Sequence, residues 1–183
     1  SDLINYDKGI AEAVHILFSK KNESLVDIVR IATHLKDLEG SKAIANKLND
    51  LGYRVFLNIM QISSLDSVTL KDCVQNIKSW GCVEVLYFAD SLGSMESDSV
   101  ASIISVISEI WDGPIGIHTH DNKSQALANS IKAIECGVKY VDATILGMGR
   151  GAGNAKTEDL LLEVVSKGYG KYYPDPILPI VIN

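Results

Sequence analysis

The sequence is poor in cysteine and has no long apolar run, and each absence excludes a class of protein. Its three dispersed cysteines contain no Cys-x-x-Cys pair, which argues against a disulfide framework and against a zinc cluster. No apolar stretch approaches the length that spans a bilayer. The first residues lack the basic and apolar regions of a secretory signal. We therefore expect a cytoplasmic protein that does not insert into a membrane.

Positive charge is also scarce. The chain has 17 Lys and Arg against 23 Asp and Glu, a formal net charge of −6, and its basic residues are scattered. A nucleic-acid surface needs a positively charged face, so we expect no nucleic-acid partner. With 183 residues, of which 46% are apolar, the chain is long enough to form one domain with a hydrophobic core.

Apolar, mostly β-branched runs alternate with helical patterns along the chain. The runs predict strands at residues 28–33, 55–60, 83–89, 115–120 and 140–145, with a further strand end at residues 3–6. The helical patterns cover residues 9–20, 42–48, 74–78, 100–110, 126–134 and 156–167. Four helices are followed by a glycine that is expected to end them in the left-handed conformation: Gly52, Gly81, Gly113 and Gly137.

This alternation of helix and strand predicts successive βα units and a parallel sheet. Two architectures fit, an open doubly wound sheet and a (β/α)₈ barrel. A complete barrel needs about 250 residues. No glycine-rich dinucleotide fingerprint follows an early strand, so the main sign of a Rossmann fold is missing. We assign residues 1–168 to the βα domain and residues 169–183 to a proline-rich tail, which is expected to be extended.

Ligands of parallel α/β folds bind at the carboxyl ends of the strands, and two histidines stand at such an end. His118 and His120 are two residues apart on a strand and should therefore point the same way. Neutral imidazole is a common metal ligand, and Asn154, at the end of a glycine-rich loop, is the next candidate. The alternative for the two histidines is a hydrogen-bonded structural pair.

Four further polar residues at or near strand ends have two interpretations each. Asp90 and Ser91 belong either to the site or to a turn before a helix. Arg30, inside an apolar strand, forms either an interior ion pair or part of the site. Asp142 either orients a histidine or pairs with a lysine.

Several blocks of the sequence resemble the DRE-TIM metallolyase superfamily, and they are most similar to its 4-hydroxy-2-oxovalerate aldolase branch. The superfamily also contains hydroxymethylglutaryl-CoA lyase, isopropylmalate synthase and the carboxyltransferase domain of pyruvate carboxylase. The blocks are residues 29–34, 87–93, 117–122, 126–130, 141–144 and 147–155. The resemblance implies a partial TIM (β/α)₈ barrel, roughly strands 3 or 4 to 8, with a parallel sheet and alternating helices.

The resemblance also implies a site and an activity. His118, His120 and Asn154 would bind a divalent metal, Mn²⁺, Mg²⁺, Zn²⁺ or Co²⁺. Arg30, Asp90 and Ser91 would bind the substrate, while no catalytic residue is assigned. The implied reaction of the aldolase or lyase is cleavage of a 4-hydroxy-2-keto acid to pyruvate and an aldehyde. The alternatives are a Claisen-type acyl-CoA condensing synthase of the isopropylmalate synthase type and a non-catalytic barrel fragment that acts as a binding or scaffold module.

One motif of the superfamily is missing. Its first strand carries an Arg-Asp pair, in which the aspartate is a metal ligand, and nothing like Asp-x-Thr-Leu-Arg-Asp-Gly occurs in this chain. We therefore expect either a piece of a larger enzyme or a degenerate relative. Because a partial barrel exposes strand edges, we also expect a homodimer or pairing of two copies through those edges.

Overall fold

The computed structural model describes residues 3–171 and 175–177, in which five parallel strands alternate with helices. The strands are β1 (Ile28–Thr33), β2 (Arg54–Ile59), β3 (Val83–Asp90), β4 (Ile115–Thr119) and β5 (Tyr140–Val141). The α-helices are α1 (Ile10–Leu17), α2 (Leu38–Asp50), α3 (Ser67–Ser79), α4 (Ser97–Ser108), α5 (Ala126–Glu135) and α6 (Thr157–Ser166). None of these helices, within the described part of the chain, is long and apolar enough to cross a membrane.

The strands lie in the sheet in the same order as in the sequence, β1-β2-β3-β4-β5. A doubly wound sheet reverses its strand order at a switch point, whereas a barrel adds each strand beside the previous one. The order therefore decides between the two architectures and confirms the partial TIM barrel.

The two faces of the sheet have different roles. Leu57, Leu86 and Ile117 point to the face that the helices cover, and they are fully buried in the main core. Neighbouring side chains on a strand point to opposite faces. Phe56 and Tyr87 therefore lie on the other face, where they form a small separate cluster. This second face corresponds to the interior of a barrel.

An ion pair shows that the sheet is strongly curved. Arg30 of β1 contacts the carboxylate of Asp142, which directly follows β5, through two bonds of 2.8 and 2.7 Å. In a flat sheet four strand spacings would separate these two elements by about 19 Å, too far for the two side chains to meet. The sheet is therefore rolled toward the face that carries the ion pair, which we call the concave face.

Three predictions about local structure were wrong. Strand β5 has two residues instead of six, because the backbone of Thr144 pairs with Ala155 of a returning loop. Residues 3–5 form a turn instead of a strand end. Gly113 lacks the left-handed conformation that Gly52, Gly81 and Gly137 adopt. It packs beside Trp111, whose Nε1 atom would lie 2.9 Å from an added Cβ.

The predicted tail falls largely outside the described residues. The described residues do not include 172–174 and 178–183, and residues 175–177 form a turn. The expectation of an extended proline-rich segment stays a prediction.

Gly116 lies buried in the middle of β4, directly against Tyr87 of β3. A Cβ at this position would come within 2.5 Å of the tyrosine ring. We expect Gly116→Ala to lower the free energy of unfolding by about 1–3 kcal/mol, because overpacking forces the ring to shift. Urea denaturation measures this change. In a Tyr87→Leu background the cost of Gly116→Ala should fall, and equal costs in both backgrounds would contradict the contact as its cause.

Candidate metal centre

The two histidines converge at the carboxyl end of β4. The Nε2 atoms of His118 and His120 are 3.3 Å apart, and their rings meet edge to face with centroids 5.0 Å apart. Thr119, between them, is buried on the opposite side, where its hydroxyl lies 3.0 Å from that of Ser130. The alternation of side chains along the strand thus places both imidazoles on the concave side, as predicted.

Asp142 orients the ring of His118. Its Oδ2 atom accepts a hydrogen bond of 2.9 Å from Nδ1 of His118, while Arg30 binds the same carboxylate. In the neutral ring a proton on Nδ1 leaves a lone pair on Nε2, which faces Nε2 of His120 and is the atom that could bind a ligand. Of the two interpretations of Asp142, the structure shows the one in which it orients a histidine. Of the two interpretations of Arg30, the structure shows the ion pair on the inner face of the sheet, with Asp142 as its partner.

The ionisation of these groups follows from burial and charge. Burial alone would raise the pKa of Asp142, but the hydrogen bonds from His118 and Arg30 outweigh it and hold that pKa below its usual value. Burial lowers the pKa of His120, and repulsion from Arg150, or from His118 when that ring is protonated, lowers it further. The arrangement therefore favours an ionised carboxylate beside a neutral His120 imidazole.

A glycine-rich loop brings Asn154 to the histidines. The backbones of His120 and Asn154 form an isolated antiparallel bridge, and the Asp121 N–H donates to Gly153 O at 3.0 Å. At Gly149 an added Cβ would lie 2.6 Å from the Asn154 amide nitrogen, so a larger residue there would displace that amide. The position of Asn154 at the end of the glycine-rich loop, which made it a candidate in the sequence, thus corresponds to a close approach between the backbones of the loop and of His120.

The amide of Asn154 is only half satisfied. Its Nδ2 donates to Met148 O at 3.1 Å, whereas its Oδ1 is buried and has no hydrogen-bond partner. A buried polar atom without a partner is costly and calls for an explanation, for which an ion is one candidate. Two imidazole nitrogens and an amide oxygen fit a divalent cation as a partial ligand set. Within residues 3–171 and 175–177, no group of three or more His, Cys, Asp or Glu side chains completes it.

Asp90 and Ser91 organise the loops after the strands. Asp90 is fully buried. Its two carboxylate oxygens accept hydrogen bonds of 3.0 Å from the backbone N–H groups of Ser94 and Met95. The hydroxyl of Ser91 accepts the N–H of Gln61 at 3.0 Å. This is the turn interpretation of these residues, and a contact of either residue with a substrate stays a prediction.

Two residues of the concave face were not singled out from the sequence. Tyr87 lies under Arg30, whose guanidinium carbon is 4.4 Å from the ring centre, and burial raises the pKa of Tyr87 to about 12. Asn58, opposite Tyr87 in the sheet, is 7% exposed, and its Oδ1 has no hydrogen-bond partner. The sequence feature that could have identified Asn58 is an amide side chain in the middle of an otherwise apolar strand.

The chain is similar to proteins of one family over most of its length. The family model described as HMGL-like matches residues 16–174. The 4-hydroxy-2-oxovalerate aldolase of Pelotomaculum thermopropionicum is 31% identical over 144 residues, which are 79% of this chain and 42% of that protein. The enzyme of the same name from Bacillus cereus is 34% identical over 78% of this chain and 41% of that protein. The chain thus spans less than half the length of these curated relatives.

Solved structures show the same fold. The N-terminal domain of a proposed aldolase from Bacteroides vulgatus matches with a TM-score of 0.78 at 28% identity, over 99% of this chain and 56% of that one. The HMG-CoA lyase of Bacillus subtilis matches with a TM-score of 0.68 at 16% identity, over 76% of this chain and 56% of that one. At this lower identity the likeness concerns the fold alone.

The unpartnered amide of Asn58 leads to a prediction about stability. We expect Asn58→Leu to leave the free energy of unfolding unchanged or to raise it by about 1 kcal/mol, because it removes a buried polar group that lacks a partner. The matched control is Asn129→Leu. Asn129 is also buried, but it donates to Met95 O at 2.9 Å, so its loss should cost about 1–3 kcal/mol. Urea denaturation of both variants checks this, and equal destabilisation would contradict it.

Proposed function

The chain belongs to the HMGL-like family, and on that premise we propose that it carries the metal-binding part of an aldolase for 4-hydroxy-2-keto acids. The products would be pyruvate and an aldehyde. The observation that carries the proposal is the convergence of the His118 and His120 Nε2 atoms, together with the backbone bridge that brings Asn154, with its buried and unpartnered Oδ1, next to His120. The names of the curated relatives support the choice of substrate class.

In this proposal each residue of the site has a defined task. A bound divalent cation would act as a Lewis acid on the keto group of the substrate. His118 and His120 would hold it through Nε2, with the amide oxygen of Asn154 as a further ligand or close neighbour. Asp142 would keep His118 in the required orientation. No residue among those that the structure describes is assigned as the base that accepts the 4-hydroxyl proton.

The chemistry of the cleavage is that of a retro-aldol reaction. The 4-hydroxyl loses its proton and becomes the aldehyde, while the C3–C4 bond breaks and its electron pair goes to C3. Protonation at C3 then gives pyruvate. Arg30, Asp90 and Ser91 are the candidates for binding the substrate. The side chain of Arg30 is 35% exposed, whereas Asp90 is fully buried, so Arg30 is the more accessible of these two charged groups.

The first test concerns the metal. We expect His118→Ala or His120→Ala to weaken Mn²⁺ binding at least ~100-fold in isothermal titration, since each removes a direct ligand. His15→Ala is the matched control, because His15 is exposed on α1, and it should bind Mn²⁺ as the unchanged protein does. Unchanged affinity in both His118 and His120 variants would overturn the metal proposal and leave a non-catalytic barrel module.

The second test concerns the reaction. The full-length enzyme in which this chain would be the metal-binding part is incubated with Mn²⁺ and 4-hydroxy-2-oxovalerate, and pyruvate release is followed with a coupled dehydrogenase. We expect release that requires the cation and that His120→Ala abolishes, because the ligand set would then lose one of its two imidazoles. Turnover found only with acetyl-CoA and a 2-oxo acid would favour a Claisen-type synthase instead.

A further inference from the structure

We propose that Arg30 and Asp142 form a positioning pair that fixes His118 as an Nε2 metal ligand, with Arg30 acting from the opposite edge of the sheet. The proposal rests on the metal site described under the proposed function. It assigns Arg30 a task different from direct substrate binding. It also makes the ligand geometry depend on a contact between β1 and the segment after β5.

The first step is the bond between Asp142 and His118. The Oδ2 atom of Asp142 lies 2.9 Å from Nδ1 of His118, and a carboxylate can only accept a hydrogen bond there. The Nδ1 atom must therefore carry the proton. In the neutral ring, Nε2, which faces His120, then keeps its lone pair.

The second step is the bond between Asp142 and Arg30. Arg30 reaches both carboxylate oxygens, Oδ1 through Nη1 at 2.8 Å and Oδ2 through Nη2 at 2.7 Å. Two parallel bonds fix the plane of the carboxylate, which a single bond does not. The same guanidinium stacks over Tyr87 of β3, which lies between β2 and β4 in the sheet. The orientation of the carboxylate is therefore set by β1 and β3 as well as by its own segment.

The third step is that the pair spans the whole sheet. Arg30 and Asp142 are 112 residues apart in the sequence, and they belong to the two outer positions of the five-stranded sheet. All ligands proposed for the metal come from β4 and the loops that follow β4 and β5. Through Arg30, β1 thus takes part in a metal site whose proposed ligands lie at the β4–β5 edge of the sheet.

The tautomer of His118 is the first readout and needs no metal. Nitrogen NMR of the metal-free protein at alkaline pH distinguishes a protonated from an unprotonated Nδ1. We expect His118 to be protonated at Nδ1 in the unchanged protein. Asp142→Asn should give a mixture of tautomers, because the amide can also donate to Nδ1. Arg30→Met should broaden the His118 nitrogen signals or give a mixture of tautomers. Arg30→Lys should restore part of the Nδ1-protonated population, since lysine supplies the charge without the two-bond geometry.

Metal affinity is the second readout. We expect Arg30→Met to weaken Mn²⁺ binding about 10–100-fold, the usual effect of removing a group that orients a ligand. The matched control is Arg54→Met. Arg54 also binds a carboxylate, that of Glu84, and also lies over a ring, that of Phe56, but at the amino-terminal ends of the strands. Its loss should leave Mn²⁺ affinity and the His118 tautomer unchanged.

A double variant separates positioning from a general structural effect. If Arg30 acts through Asp142, Arg30→Met should weaken Mn²⁺ binding no further in an Asp142→Ala background. Additive losses, or a His118 tautomer that does not respond to Arg30→Met, would overturn the proposal. If the unchanged protein does not bind Mn²⁺, the proposed function fails, while the tautomer of His118 still decides whether the pair positions the ring.

Discussion

The ion pair between Arg30 and Asp142 spans the concave face, and its carboxylate is the one that binds His118 of the candidate site. It joins the strand at one edge of the sheet to the segment that follows the strand at the other edge. Only a curved sheet allows this contact, and the same curvature turns the carboxyl ends of the strands toward one another. The side chains of the site meet because a sheet of sequentially ordered parallel strands rolls up in the way that a barrel does.

The placement of this partly exposed charge pair on the concave face is explained better by geometry than by stability. Charges that leave water lose hydration, and an ion pair recovers that loss only when its bonds are well formed. Here the carboxylate of Asp142 is satisfied by Arg30 and His118, and the guanidinium also lies over Tyr87. A network so fully paired specifies one arrangement of its members. That arrangement holds the imidazole of His118 toward His120.

The site also contains polar groups that the chain does not satisfy. The amide oxygens of Asn154 and Asn58 are buried without partners; the backbone of Asn154 pairs with that of His120, and Asn58 lies on the concave face. Unpaired buried groups oppose folding, so their presence in a well-packed sheet is a reason to expect a ligand. The curated relatives are more than twice as long as the part that this chain matches, and their activity is carried over only as a proposal.

Much of the fold was accessible from the sequence because strands and helices have local signatures. The β-branched runs located all five strands, and the period of two placed His118 and His120 on one side. What only the tertiary structure decided was long-range: the partner of Asp142, the unpaired amide of Asn58 and the early end of β5. The periodicity of a strand or helix can be recognised from residues that are neighbours in the sequence. These three features depend instead on which distant segments come close once the sheet has curved.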